Sequence, residues 1–126
     1  MHELIEELRQ TERKARGPVI ERLAANLDEA GWSEVAELVV DDAINEDLRA
    51  ALAGCLGKSG QTDRINSLFD MLQAEKSEWR TAACCGLSAV STHESVERLI
   101  EALCDRTNTV RNAAERSLLL LSLIHI

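Results

Sequence analysis

His93-Glu94 is an imidazole–carboxylate pair of the kind that can begin a metal site, and His2-Glu3 repeats it at the start of the chain. One such pair cannot build a two-metal centre, which needs several converging donors. His93 is therefore read as a surface residue at a helix N-terminus. The other reactive candidates are the thiols of Cys55, Cys84, Cys85 and Cys104, which show no CxxC spacing. Adjacent cysteines on a helix point about 100° apart, a poor geometry for one metal. They read as small buried hydrophobes, a usage that suits a reducing cytoplasm. No catalytic set, metal site or cofactor is expected.

The remaining polar chemistry is charge. The net charge is −8 and the isoelectric point about 4.9. A nucleic-acid binder draws much of its affinity from neutralising phosphates with a basic face. Here the basic run Arg13-Lys14-Ala15-Arg16 is short and the other arginines are offset by abundant Asp and Glu, so DNA and RNA are not expected partners. No apolar run reaches membrane-spanning length, and Met1-His2-Glu3 leads into acidic amphipathic sequence instead of a signal peptide.

The elements that carry these residues are set by a repeat. Trp79-Arg80-Thr81-Ala82-Ala83-Cys84-Cys85-Gly86-Leu87 is echoed by the nine residues from Val110 and by the nine from Leu48. Arg49, Arg80 and Arg111 fall at a constant 31-residue interval, each followed seven positions later by Leu56, Leu87 or Leu118. A fixed period in this range is the signature of a solenoid. Arg16 with Leu23 extends the pattern to a fourth, weaker unit, in which Gly17-Pro18 replaces small helix formers.

Each unit reads as helix, tight turn, helix, giving an all-α, right-handed α-solenoid of about four repeats near 1–31, 32–60, 61–91 and 92–120. In the first, Leu4, Ile5 and Leu8 mark a short helix, Pro18 opens a second and Gly31 ends it. In the second repeat, Asn45 caps a helix from Glu46 to Lys58, and Gly60 closes it. In the third, a helix entered through Thr62 or Asp63 carries Ile65, Leu68, Phe69 and Leu72, and Ser77 caps its partner. In the fourth, Val96, Leu99, Ile100 and Leu103 keep the same interval, and Asp105-Arg106-Thr107-Asn108 leads into the last helix. Ala51, Ala82 and Ala113, with Gly54 and Gly86 nearby, let neighbouring helices approach closely. Trp79 stands where sister repeats have Leu48 and Val110, and reads as core. Trp32 follows a glycine at a repeat junction, and half exposed there it would be the one aromatic placed to anchor a partner.

The stretch from Leu103 through Asp105, Val110-Arg111 and Ala114 to Leu118 resembles the HEAT repeat, in particular the short HEAT-like units of phycobiliprotein lyases. The resemblance covers nearly the whole chain. It implies a fold of stacked helix pairs, with an Asp–Arg pair bracing the turn. Only the fourth repeat has that Asp, pairing Asp105 with Arg111; the third has Ala74 and the second Ala43 in its place. The HEAT-type di-iron hydroxylases hold metal with repeated His-Glu dyads, and here the matching positions carry Ala, Thr or Asn.

The function expected is a protein–protein interaction or scaffold module in the cytoplasm, with no catalysis of its own. Its contacts would be solvent-facing residues of the second helices: Arg22, Thr81, Asn112, Glu115 and Arg116, with Trp32 beside them. The alternative is a HEAT-like lyase or chaperone-type enzyme subunit acting on a cofactor-bearing protein. A spacer inside a larger protein is a third reading. Leu121-Ser122-Leu123-Ile124-His125-Ile126 matches what a sequencing-library adapter encodes, so residues 121–126 are expected to be a non-native tail on a truncated array.

Overall fold

The computed structural model describes residues 3–10 and 16–124. His2, Arg13, Lys14, His125 and Ile126 lie outside the described residues, so the His2-Glu3 dyad, most of the basic run and the very end of the tail are not placed. The described residues form α1 (Glu3–Gln10), α2 (Arg16–Asn26), α3 (Glu29–Val39), α4 (Glu46–Lys58), α5 (Thr62–Met71), α6 (Ser77–Leu87), α7 (His93–Ala102) and α8 (Asn108–Ile124). There is no strand among them. The eight helices make four successive pairs, the arrangement the 31-residue interval predicts.

Apolar stripes at helical spacing explain the pairing. Each second helix buries a continuous run, such as Leu48, Leu52, Cys55 and Leu56 on α4, or Ala83, Cys84 and Leu87 on α6. The second helices α2, α4, α6 and α8 pack side by side as one layer. The first helices of the later repeats touch chiefly their own partners and the preceding second helix, and are splayed from one another. Helices crowded on one side and splayed on the other curve the stack, with the second helices on the inside.

Close contact within the inner layer depends on two glycines. A Cβ on Gly86 would lie 2.5 Å from the Ala53 carbonyl oxygen, and one on Gly57 only 2.1 Å from the Gly86 oxygen. Gly54, also read as a close-approach residue, would place its Cβ an ordinary 3.8 Å from Ile20. Between α6 and α8 the Ser117 hydroxyl donates to the Cys84 carbonyl at 2.6 Å, satisfying a polar group inside the layer.

Several helix ends fall where the sequence places them. Asn45 accepts from the Leu48 N–H at 2.8 Å, α4 ends at Lys58, and Gly60 takes a positive φ of 69°. Others differ. Gly31 does not end α2; it sits buried in the first turn of α3, its N–H donating to Asp28 at 2.8 Å. Asp28 is the stronger punctuation, because a side-chain acceptor at an N-cap fixes where a helix starts. Ser77 and Thr62 are first helical residues, and the cap positions are Lys76 and Gln61, which make no side-chain cap bond. Arg16 is the first residue of α2, whereas Arg49, Arg80 and Arg111 are each the fourth of their helices. Pro18 must occupy a first turn, which pulls α2 out of step with its sisters. Leu23, Leu56 and Leu87 are fully buried; Leu118 is only partly so, since among the described residues no helix packs beyond α8.

Candidate functional site

The repeated arginines act on the turns inside each pair. Arg49 is 1% exposed and donates to the carbonyls of Val39 at 2.6 Å and Asp41 at 2.9 Å, with its Nε 3.2 Å from Glu46. Arg80 donates to the carbonyls of Ala74 at 2.9 Å and Glu75 at 2.7 Å, and Arg111 to that of Asp105 at 2.7 Å. Each cation thus satisfies carbonyls left over at the end of a first helix, where the helix dipole also favours positive charge.

The expected Asp105–Arg111 carboxylate pair is not formed. The Asp105 carboxylate bonds Arg80 of the preceding repeat, at 2.9 Å from Nε and 3.3 Å from a terminal nitrogen, while Arg111 takes the Asp105 main-chain oxygen. The pair therefore staples repeat three to repeat four. Burial alone would raise the Asp105 pKa; the Arg80 hydrogen bond, the Thr107 N–H and the charges of Arg80 and Arg106 outweigh it and hold it below 3.8. The staple's contribution is then fully present above about pH 3.8 and is lost as pH falls through the depressed value. Arg80→Ala should cost about 2 kcal/mol in urea unfolding, since it leaves Asp105 and two turn carbonyls short of a donor. Below pH 4 the wild-type melting temperature should fall more steeply than that of Asp105→Asn; parallel curves would remove the staple.

The two tryptophans exchange their expected settings. Trp32 is 7% exposed, with the Arg64 guanidinium 4.5 Å from its ring centroid. The next first helix supplies that cover, which the sequence around Trp32 does not reveal, so the expected half-exposed anchor is not there. Trp79, expected in the core, is half-buried, with Arg49 at 5.4 Å and Lys76 at 5.6 Å from its centroid. Lys76 also hydrogen-bonds Asp42, and that bond and charge lower the Asp42 pKa.

Two kinds of concavity remain. Along the inner layer, a shallow groove of about 560 Å³ runs past the C-terminal ends of the second helices, lined by α2, by Lys58 at the end of α4, by Ser88 and Ala89 just beyond α6, and by α8. Its floor is small, with Ala24 and Ala25 at one end, Ala89 in the middle and Leu120 at the other, and Glu21 and Lys58 pair across it at 3.8 Å. Asn112 and Arg116 precede Leu120 at four-residue intervals and so share its helix face. Glu115 is exposed on the adjoining face with Leu119. Thr81 is half-buried, its hydroxyl 3.4 Å from that of Thr109, and Arg22 turns to Glu7 of α1. Of the expected contacts, Arg116 and Asn112 lie on the helix face that brings Leu120 to the groove without lining it, while Arg22, Thr81 and Trp32 are engaged elsewhere. On the outer side, clefts open between successive first helices.

The thiols are set apart by depth. Burial pushes the pKa of Cys55 and of Cys84 up to about 12, with the neighbouring Cys85 adding to the effect at Cys84. Cys104 is exposed. At pH 8, iodoacetamide should therefore label Cys104 while Cys55 and Cys84 react only after unfolding, because the thiolate is the nucleophile. Mass spectrometry of the native protein checks this, and early labelling of Cys84 would contradict it. His93 starts α7, and its imidazole is 2.8 Å from Glu97 on an exposed surface. Among the described residues no three His, Cys, Asp or Glu side chains converge as a metal set, and no helix is long and apolar enough to cross a membrane.

Helix pairs stacked with a buried inner layer, each bearing an arginine that ties its own turn, define an α-solenoid repeat protein. The family model for HEAT repeats matches residues 37–119. The chain belongs to the HEAT-repeat family. A comparison with curated proteins finds no match.

Proposed function

We propose that the chain is a protein-interaction module that lays a segment of another protein along the inner groove and performs no catalysis of its own. The observation that supports this is the groove's make-up: a floor of small side chains, Ala24, Ala25, Ser88 and Ala89, with Leu120 at one end. Such a floor admits a helix or an extended strand of a partner, which gains area against alanines and orientation from a few polar groups. An enzyme would gather convergent polar groups with shifted pKa values in a pocket. In the groove the two ionisable lining residues, Glu21 and Lys58, face each other. We place the module in a reducing cytoplasm on the strength of its free thiols.

The test is affinity capture from native lysate with the full chain as bait, identifying what stays bound. One dominant protein at stoichiometric yield, lost on Arg116→Glu and on Leu120→Arg, is the expected result. Retention that neither substitution changes would remove the groove as the working surface. The tail proposal is separate: α8 runs on through Leu121, which is buried, to Ile124. A native stop codon after Ile126 in the encoding locus would dispose of it.

A further inference from the structure

The face of the last helix pair that no described helix covers differs from its counterparts inside the stack. In the earlier repeats the matching positions meet the next repeat: Phe69 is 7% exposed beneath Arg98, Leu72 lines the cleft toward Val110, and Gly57 lies against Gly86 and Ala89. Ile100, Leu103 and Leu119 fill those places in the last pair, and all three stand exposed. The inner part of this face grows bulkier along the stack, from Ala53 and Gly57 on α4, through Cys84 and Ser88 at the end of α6, to Glu115 and Leu119 on α8. A Cβ on Gly57 would already lie 2.1 Å from a main-chain oxygen, so Leu119 keeps any further helix from approaching α8 as α6 approaches α4. A helix that meets Leu119 must stand off at the roughly 8–10 Å of ordinary side-chain packing.

Arg111 brings an unmet charge to the same face. Its two sisters reach forward across a repeat boundary: Arg49 lies 5.4 Å from the Trp79 ring centroid, and Arg80 bonds Asp105 at 2.9 Å and Thr107 at 3.2 Å. Among the described residues Arg111 bonds Asp105 and Asn108, both of its own repeat, and nothing beyond them. One turn further along α8, Glu115 is exposed and pairs with no described cation. Arg111, Glu115 and Leu119 follow one another at four-residue intervals and so form a single ridge of α8, in the order cation, anion, apolar.

We infer that this face docks a second copy of the chain about a two-fold axis, with α8 antiparallel to α8. The ridge is complementary to itself. An axis beside residue 113 sets Arg111 of each chain against Glu115 of the other, giving two identical ion pairs. Leu119 then lies opposite the turn that precedes the other copy's α8, beside Leu103 and Ile100 at the end of its α7. Parallel and in register, the same ridges would bring like charges together. A face two helices wide and about 25 Å long is at the small end of the roughly 600–1,000 Å² per partner that specific interfaces bury, which suits a micromolar dimer. All of these residues precede position 121, so the contact does not depend on the tail. It uses a different face from the inner groove and does not require the groove to bind anything.

The experiment is sedimentation velocity on the full chain, from low micromolar to several hundred micromolar. The expected result is a reversible monomer–dimer equilibrium with a micromolar Kd and no larger species. Glu115→Arg should weaken the dimer at least tenfold, and Leu119→Arg should abolish it. Both positions are exposed, so both variants should melt as the wild type does by circular dichroism. Chains carrying Glu115→Arg, mixed with chains carrying Arg111→Glu, should regain the dimer, because both ion pairs re-form with their signs exchanged. Arg111 also ties its own turn, so Arg111→Gln, which keeps a donor there, is measured alongside and should weaken its own dimer severalfold. A monomer at every concentration, a ladder of larger species, or a dimer unchanged by Glu115→Arg and Leu119→Arg would overturn the inference. So would a dimer lost only on Leu120→Arg, which would move self-association into the inner groove.

Discussion

Leu87→Asp should abolish cooperative unfolding, leaving a chain whose helical signal fades gradually with urea. Leu87 is fully buried in α6, the helix that packs on both α4 and α8. Truncating such a leucine costs about 2–5 kcal/mol, and an unpaired carboxylate in its place adds several more. A domain has only about 5–15 kcal/mol in total. Protonating the aspartate would not restore the packing. In a stack whose neighbours depend on each other, losing the central inner helix removes the interface on each side. Circular dichroism against urea decides the matter, and an unaltered cooperative transition would break the repeat alignment built on Arg49, Arg80 and Arg111.

Gly86→Ala should destabilise by about 3 kcal/mol or more, while Gly54→Ala should stabilise by about 0.5–1 kcal/mol. In an isolated helix both changes would help, since alanine is the better helix former by nearly 1 kcal/mol. The difference is what the new methyl meets. At Gly86 it would sit 2.5 Å from a main-chain oxygen of α4, and a backbone cannot swing aside as a side chain does. The inner layer must then open between α4 and α6, losing dispersion contacts along the whole interface. At Gly54 the methyl lands at contact distance from the Ile20 side chain. Urea midpoints of the two variants measure both effects, and shifts of the same sign would refute the close-packed layer.

The architecture was legible because it is periodic. Arg49, Arg80 and Arg111, with their trailing leucines, announce three second helices, and Asn45 and Gly60 mark the ends of one to the residue. What escaped the sequence depends on stacking between repeats, to which a local pattern is blind. Asp105 lies six residues before Arg111 and was naturally paired with it, yet the carboxylate reaches back across a repeat boundary to Arg80. Gly57 and Gly54 are equally small; only the α4–α6 crossing tells which one must be glycine. Trp32 and Trp79 differ from their expected settings for the same reason: Arg64 from the next repeat roofs Trp32, while Trp79 stays half-buried beside the outer cleft with Arg49 and Lys76 on its ring. Of the expected contact residues, the shared face of Asn112 and Arg116 follows from helical spacing alone.

The glycine contacts between α4 and α6 also set how the molecule can bend. Where main chain already touches main chain, the inner arc can be neither shortened nor, without losing its packing, stretched. It behaves as the inextensible side of a strip. The first helices, held to one another loosely and separated by clefts, form the compliant side. Any change of curvature must therefore be taken up by opening or closing the outer clefts, with the inner helices serving as the hinge line. The Arg80–Asp105 staple stiffens the joint between the third and fourth repeats.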